Sequence, residues 1–259
     1  SQLTISTPKT RLYFPMSKHI IGIAGFRRCG KDTIARAIAE LAQARGFLVA
    51  TVAFADPLRK AASAAYGVDV AEFTDDRLKD QVVEAWGITR RQMLINLGEA
   101  MRGVDPDHWV KAWRRAVTKI QPAWWSADDD GPVTKQLSTI VLTPDLRRVN
   151  EAQAIHNAQG INVLLRRDGV TWDGHINEAL AEVAQHRDEA LAAKLQCEYA
   201  ASNPMSISAD GHRLFNCVVD NPVSAGCTAT PEQRQQLYQI AAQVLDRVLT
   251  RPSLSVVKD

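Results

Sequence analysis

Gly25-Phe26-Arg27-Arg28-Cys29-Gly30-Lys31-Asp32-Thr33 is the stretch that decides the fold, because it matches the phosphate-loop pattern G-x-x-x-x-G-K. The run HIIGIA at residues 19–24 comes directly before it and predicts a short buried strand. Apolar residues at helical spacing follow it and predict a helix over residues 33–44. A chance match in a loop would lack this strand before it and this helix after it. The stretch therefore predicts a loop that binds phosphate groups.

The chemistry of such a loop explains its residue types. Two glycines let the backbone wrap with its N–H groups pointing inward, and the helix that follows directs the positive end of its dipole at the phosphates. Lys31 is predicted to contact the β and γ phosphate oxygens of ATP, with a catalytic role. The residues predicted to bind ATP are Gly25, Arg27, Cys29, Gly30, Lys31, Asp32 and Thr33.

The residue after the lysine departs from the general pattern. Asp32 occupies the position where Ser or Thr usually binds magnesium, and the hydroxyl comes one place later, at Thr33. Since Mg²⁺ keeps several of its waters, Asp32 and Thr33 are candidate metal-binding residues that would act through water. The alternative for Asp32 is a charge that complements the helix dipole in the first turn, and both interpretations stay open.

The rest of the chain continues the alternation of strands and helices. Apolar runs at residues 47–54, 139–143, 161–165 and about 214–219 predict further strands, and helical segments separate them. This order is typical of an α/β fold with a parallel sheet of about five strands and helices on both faces. Residues 121–136, which mix proline, glycine and acidic residues with two tryptophans, predict an exposed connection.

Charged residues follow two of the predicted strands, at the sheet edge where ligands bind in such folds. Asp56 and Pro57 come after the second strand, where Asp56 is predicted to cap a helix and to lie beside the phosphate loop. Asp145 and Arg147 come after the run at residues 139–143. The carboxylate of Asp145 could orient magnesium or its water. Arg147 could hold an acceptor phosphate or neutralise charge on the phosphoryl group during its transfer. Both are therefore candidate catalytic residues.

The composition of the chain limits the partners and the compartment that we expect for it. A net charge of +2 gives no general case for a nucleic-acid partner, and there is no apolar run of about 20 residues and no secretory signal, so we expect no membrane partner and a cytoplasmic protein. The four cysteines form no C-x-x-C pair. We expect a flexible leader at residues 1–17 and one domain at 18–259, with a core at about 18–167 and 211–250 and a helical lid or insert at about 168–210.

Several segments together resemble a known family. These are GIAGFRRCGKDT, FADPLRKA, TRRQMLINLGEAMR with DHWV after it, and PDLRRVNEAQAI leading to INVLLRR. In this order they resemble the deoxynucleoside monophosphate kinases of tailed bacteriophages, which are P-loop enzymes of the nucleoside monophosphate kinase type, over about residues 20–167. Departures include Arg90 in place of a frequent proline, Arg148-Val149 in place of Phe-Pro, and only a loose echo at residues 175–178, after which there is little match to about residue 214.

The resemblance implies a fold and an activity. It implies the P-loop NTPase fold, similar to adenylate kinase, and transfer of the γ-phosphoryl group from ATP to a deoxynucleoside 5′-monophosphate with Mg²⁺, in the cytoplasm of an infected host cell if the chain is of phage origin. A homodimer is left open. Kinases with another small acceptor, such as dephospho-coenzyme A or phosphomevalonate, and a nucleotide-dependent assembly factor are the alternatives. The residues that the resemblance assigns to the acceptor nucleotide are Asp56, Arg91, Arg102, Arg147 and Arg167.

Overall fold

A computed structural model describes residues 18–120, 123–125, 135–174, 179–186 and 215–250. Its nine strands are β1 (Lys18–Ala24), β2 (Leu48–Thr51), β3 (Val82–Val83), β4 (Ile88–Thr89), β5 (Ala123–Trp125), β6 (Lys135–Leu137), β7 (Thr139–Thr143), β8 (Ile161–Arg167) and β9 (Cys217–Asn221). Its seven α-helices are α1 (Lys31–Ala44), α2 (Ala55–Tyr66), α3 (Arg90–Val104), α4 (His108–Thr118), α5 (Val149–Asn157), α6 (Ala179–His186) and α7 (Pro231–Leu249), and a 3₁₀ helix spans Val70–Phe73. Both counts cover the described ranges.

The centre of the molecule is a five-stranded sheet in the order β2-β7-β1-β8-β9, and every pairing in it is parallel. β1 lies in the middle, with Ile20 opposite Val141 of β7 and Ile23 opposite Val163 of β8. The phosphate-loop sequence leaves the carboxyl end of this central strand. The sheet and its helices form the predicted α/β P-loop NTPase fold, and the expected number of strands is confirmed.

Helices cover both faces of the sheet. On one face, α1 and α7 pack on a cluster that includes Ile21, Ile23, Ile140 and Leu142 of the strands. On the other face α4, α5 and α6 pack on residues such as Ile20, Val141 and Leu164. Because the inner strands β1, β7 and most of β8 are buried on both sides, their residues are apolar almost throughout, which is why continuous apolar runs identified them.

A smaller third cluster lies outside the sheet. Ala62 of α2, Val68, Phe73 and Met93 of α3 form it, and the short antiparallel pair β3-β4 lies against it. The sequence pattern did not predict this pair, because strands of two residues carry no periodic signal.

The helix starts test the local sequence rules. A capping box of Thr89 with Gln92 begins α3, and α7 begins with Pro231 after a second box formed by Thr230 and Gln233. The prediction that Asp56 caps α2 is wrong: the helix begins at Ala55. The capping rule selects the carboxylate that is nearest in the sequence. In the structure, the amide of Ala55 is bound by Asp145, which lies 90 residues away in the chain.

Two further predictions concern connections. Residues 121–136 were expected to be an exposed connection; β5 in this segment and β6 at its end pair as antiparallel strands, which the sequence pattern did not predict. The predicted helical lid or insert at about 168–210 lies mostly outside the described residues, with α6 as its described helix, and the predicted leader at 1–17 lies outside them entirely. Among the described helices, none is both long and apolar enough to cross a lipid bilayer.

Candidate functional site

The loop between β1 and α1 has the conformation that its glycines allow. Gly25 has φ +149°, and a Cβ added there would lie 2.4 Å from the carbonyl oxygen of Leu165. Gly30, which precedes α1, has φ +98°. A side chain at either position would require a left-handed backbone and, at Gly25, would push the loop away from β8. Both glycines of the pattern are therefore required by the geometry of the turn.

The side chain of Lys31 lies within the curve of this loop. Its Nζ donates hydrogen bonds to the carbonyl oxygens of Gly25 and Phe26, each at 2.7 Å. The ammonium group also lies 3.8 Å from Sγ of Cys29, which is buried in the core. The predicted lysine thus places its charge at the mouth of the loop, which is where an anionic phosphate chain would need it.

Two side chains from β8 and β9 hold the outer side of the loop. Arg167 donates from Nη1 to the carbonyl oxygen of Arg28 at 2.9 Å, from Nε to that of Val223 at 2.7 Å and from Nη2 to that of Ser224 at 2.9 Å. Asn221 donates from Nδ2 to the carbonyl oxygen of Cys29 at 2.9 Å. The loop is therefore connected to the segment after β9 at two consecutive carbonyl groups.

A cleft of about 810 Å³ opens in front of the loop. Of the residues predicted for ATP binding, Arg27, Gly30, Lys31, Asp32 and Thr33 line it, whereas Gly25 and Cys29 are buried beneath it. Of the residues predicted for the acceptor, Arg167 lines this cleft; Asp56, Arg91, Arg102 and Arg147 do not.

A second cavity of about 390 Å³ shares Gly30, Thr33 and Arg167 with the cleft. It lies between α1 and α7, and its lining combines apolar side chains with amide and charged groups. The residues involved include Ala37, Asn221, Val223, Gln233, Leu237 and Tyr238.

The residues predicted to bind magnesium are accessible. Asp32 and Thr33 are both exposed in the first turn of α1, and both line the cleft together with Asp173. In the described part of the chain, no group of three or more His, Cys, Asp and Glu side chains is arranged to hold a metal ion. This agrees with what Mg²⁺ needs beside a nucleotide, since one or two oxygen ligands of the protein combine with phosphate oxygens and water. The donor set therefore fits magnesium.

Asp145, at the end of β7, binds the start of α2. Its Oδ1 accepts the amide of Phe54 at 2.8 Å and its Oδ2 accepts the amide of Ala55 at 2.9 Å. Burial raises the pKa of this carboxyl, while the two amide hydrogen bonds and the nearby positive charges of Arg147 and Arg59 oppose the rise. Asp145 thus supplies the cap that the sequence rule had assigned to Asp56.

A second buried carboxyl lies close to Asp145. Oε2 of Glu151, in the first turn of α5, accepts the amides of Arg147 at 2.9 Å and of Arg148 at 3.0 Å. Burial raises the pKa of Glu151 to about 7, and the charge of Asp145 adds to the rise. Glu151 therefore holds the turn that carries Arg147, and Asp145 connects the same segment to the start of α2.

The predicted acceptor residues differ in how their side chains are engaged. Asp56 accepts from the amide of Ala53 at 2.9 Å and from Nη1 of Arg59 at 2.9 Å. Arg102 donates to Oε1 of Glu99 at 2.8 Å, and Arg148 donates to the same oxygen at 2.8 Å.

Arg147 differs from these arginines. It is exposed, and within the described residues its guanidinium makes no hydrogen bond or ion pair, although its charge acts on Asp145. It is therefore the predicted acceptor residue whose cationic group is most available to a ligand.

Arg91 lies at the start of α3 and is paired with Asp80 through both Nε, at 2.5 Å, and Nη2, at 3.0 Å. The hydrogen bond from Arg91 holds the pKa of Asp80 below its usual value, and the charge of Arg27 on the phosphate loop contributes. Arg27 acts in the same direction on Asp76, whose main partner is Lys79. The start of α3 therefore lies within electrostatic reach of the loop, although Arg91 does not line the cleft.

Sequence reasoning missed three residues of the site: Glu151, Asn221 and Glu99. A buried glutamate three residues into a helix has a recognisable signal, since Glu at this position often binds free amides at a helix start. Asn221 has none, because its partner lies 192 residues away in the chain. Glu99 has a local partner in Arg102, but its bond from Arg148, 49 residues away, has no local signal.

Comparisons with known proteins add the following. No protein-family model matches the chain, and no curated protein matches it by sequence. Among solved structures it is similar to a gluconokinase from Sinorhizobium meliloti 1021, with 14% identity, 91% of this chain and 97% of that chain covered, and a TM-score of 0.31. A dephospho-CoA kinase from Campylobacter jejuni is 12% identical, with 89% and 97% covered and a TM-score of 0.33. A shikimate kinase from Acinetobacter baumannii, in complex with shikimate, is 11% identical, with 90% and 94% covered and a TM-score of 0.34. Similarity at this level carries no argument about activity.

Proposed function

We propose that the protein is a P-loop kinase that transfers the γ-phosphoryl group of ATP to a deoxynucleoside 5′-monophosphate. The observation that carries the proposal is the loop at residues 25–33: a glycine-bounded turn between the central strand and a helix, with the ammonium group of Lys31 held 2.7 Å from two of its carbonyl oxygens. Such a turn presents amides, a helix dipole and a cation to one anionic chain.

The two adjoining cavities support the assignment of the donor. The triphosphate would lie in the cleft of about 810 Å³, against Lys31 and the first turn of α1. The adjoining cavity of about 390 Å³ combines Val223, Leu237 and Tyr238 with the amides of Asn221 and Gln233. Apolar walls with a few directional polar groups suit a nucleobase, so we place the adenosine of ATP there.

The acceptor side is supported by Arg147. A bidentate guanidinium is well suited to a phosphate monoester, and Arg147 is exposed without an ion-pair partner among the described residues. Its backbone is fixed by Glu151, at 2.9 Å from its amide. Arg59, Arg91 and Arg102 are each bonded to a carboxylate, so binding a phosphate would require them to exchange partners.

Magnesium would be held by Asp32 and Thr33 through water, and when bound it neutralises charge on the β and γ phosphate oxygens. The chain itself would hold both nucleotides in line. Phosphoryl transfer of this kind needs no covalent enzyme intermediate, and catalysis comes mainly from orientation and charge stabilisation. Lys31 and Arg147 are the residues that we assign to the transferring group and the acceptor phosphate.

The test of this function is Lys31→Ala. Because the variant lacks the cation at the mouth of the loop, we expect transfer from ATP to deoxynucleoside monophosphates to fall at least about a hundredfold while the thermal unfolding curve keeps its cooperativity. Lys119→Ala removes an exposed lysine just after α4 and is the matched control, with transfer unchanged. Substantial transfer by Lys31→Ala would contradict the assignment.

The acceptor is tested by a separate screen. ADP formation is measured with ATP and Mg²⁺ against all common deoxy- and ribonucleoside monophosphates, with dephospho-coenzyme A and phosphomevalonate as competing acceptors. Stimulation by deoxynucleoside monophosphates supports the proposal. Stimulation by one of the other acceptors would identify a different P-loop kinase, and ATP turnover that no acceptor stimulates would favour the nucleotide-dependent assembly factor.

A further inference from the structure

We infer that Arg167 and Asn221 are positioning residues that set the direction of the peptide groups in the phosphate loop. The inference rests on the proposed binding of ATP phosphates by that loop. It gives Arg167 a role on the donor side, whereas the family resemblance assigned it to the acceptor nucleotide.

The hydrogen bonds that the guanidinium of Arg167 donates in the described structure all go to backbone carbonyl oxygens. Its three hydrogen bonds, of 2.7 to 2.9 Å, reach Arg28 in the loop and Val223 and Ser224 after β9. Of the five N–H groups of the guanidinium, one on each of Nε, Nη1 and Nη2 has a fixed backbone partner, so the side chain connects two separate segments of backbone.

Arg28 needs such support because of its conformation. Its φ is +64°, which is unusual for a residue other than glycine, asparagine or aspartate. A backbone in this region is unfavourable for such a residue and persists only where the surroundings hold it. The bond from Arg167 to the carbonyl oxygen of Arg28 is one such restraint, at 2.9 Å.

Asn221 restrains the next peptide group. Its Nδ2 donates to the carbonyl oxygen of Cys29, while its Oδ1 accepts the amide of Val223 at 3.0 Å, so the side-chain amide is fixed at both ends. A Cβ on Gly30 would lie 2.5 Å from the same Nδ2. Asn221 therefore lies directly against the loop at the point where α1 begins.

The geometry of a trans peptide turns these contacts into an orientation. In a planar trans peptide the C=O and the following N–H point in opposite directions. With the carbonyl of Cys29 held by Asn221, the N–H of Gly30 points to the opposite side of the loop. In the same way, the N–H of Cys29 is directed away from Arg167, and it donates to the carbonyl of Phe26 inside the loop at 3.2 Å.

The neighbouring pair on the same two strands provides a matched control. In the register of β8 and β9, Arg167 lies opposite Asn221, and Arg166 lies opposite Asp220. Arg166 donates from Nε and from Nη2 to the two carboxylate oxygens of Asp220, each at 2.8 Å. The two side chains remain 46% and 69% exposed. Adjacent residues on a strand face opposite sides, so the control pair is one residue away but does not contact the loop.

The experiment compares these two pairs by calorimetry and kinetics. Binding of ATP and of inorganic tripolyphosphate is measured for wild type, Arg167→Ala, Asn221→Asp, Arg166→Ala and Asp220→Asn, together with the KM for ATP, the KM for the acceptor and kcat. Asn221→Asp keeps the volume of the side chain and replaces the donor to Cys29 by an oxygen that repels its carbonyl. It also makes the net charge one unit more negative, and Arg166→Ala, which makes the same change one position along the paired strands, is the control for charge alone.

We expect Arg167→Ala and Asn221→Asp to weaken tripolyphosphate binding and to raise the KM for ATP by about tenfold or more, with the acceptor KM unchanged and the control variants like wild type. Tripolyphosphate binding equal to wild type in both variants would overturn the positioning role. A raised acceptor KM for Arg167→Ala with normal tripolyphosphate binding would restore the acceptor role. A wild-type protein that binds neither ATP nor tripolyphosphate would overturn the proposed function itself.

Discussion

Glu151→Gln is expected to make the protein more stable at neutral and alkaline pH. Glu151 is only 5% exposed, and its Oε2 accepts two backbone amides from the turn that carries Arg147. Burial raises its pKa from 4.5 to about 7, so the folded state binds the proton more tightly than the unfolded state does. Glutamine resembles the protonated acid in shape and can still accept both amides.

The sign and size of this change in the free energy of unfolding follow from the linkage between proton binding and folding. The stability associated with the protonated carboxyl is fully present below pH 4.5 and is lost as the pH rises to about 7, where the folded group ionises. Each pH unit in this window corresponds to about 1.4 kcal/mol. Relative to wild type, the free energy of unfolding of Glu151→Gln should therefore increase by about 2–3 kcal/mol between pH 5 and pH 8.

The assay is urea unfolding at pH 5, 6, 7 and 8, with the free energy of unfolding compared between variant and wild type at each pH. Glu84→Gln, an exposed carboxylate between β3 and β4, is the control and should run parallel to wild type. Parallel curves for Glu151→Gln and wild type across this range would refute the reasoning, because Glu151 would then be ionised in the folded protein with no net cost.

Two further substitutions test the loop and the acceptor side. Gly30→Ala should lower the free energy of unfolding by more than the about 1–3 kcal/mol expected for a strained φ alone, because its Cβ would lie 2.5 Å from Nδ2 of Asn221. Gly67→Ala, at φ +66° with open space around the added Cβ, measures the strain by itself in the same urea experiment, and equal losses would contradict the contact. Arg147→Ala should raise the acceptor KM more than the KM for ATP, while Arg114→Ala, an exposed arginine of α4, should change neither. Steady-state kinetics with each substrate varied decide this, and an unchanged acceptor KM and kcat would count against Arg147.

The elements that carry a dense local signal were predictable. The strand before Gly25, the helix after Gly30 and the capping boxes at Thr89 and Thr230 depend on residues within a few positions of each other, and the structure contains all of them. The parallel sheet followed from the same information, because fully apolar strands that alternate with helices have few other arrangements.

The parts that failed depend on contacts across the chain. Asp56 satisfied the rule for a helix cap, yet the amides of Phe54 and Ala55 bind Asp145, which reaches them because β7 pairs beside β2. Tertiary pairing here overrides the local preference.

The phosphate loop contains both features that its local pattern specifies and features that depend on distant residues. Its pattern specifies the residues that must be small or cationic, Gly25, Gly30 and Lys31, because their constraints are local. It leaves unspecified which way the peptide groups between them turn, and Arg28 lies in a conformation that its own residue type disfavours. The restraints on that turn come from Arg167 and Asn221, which lie 139 and 192 residues away from the carbonyls they bind and reach the loop only because β8 and β9 pair on one side of β1. The motif therefore defines what the loop could bind, and the order of strands defines whether its amides are directed to do so.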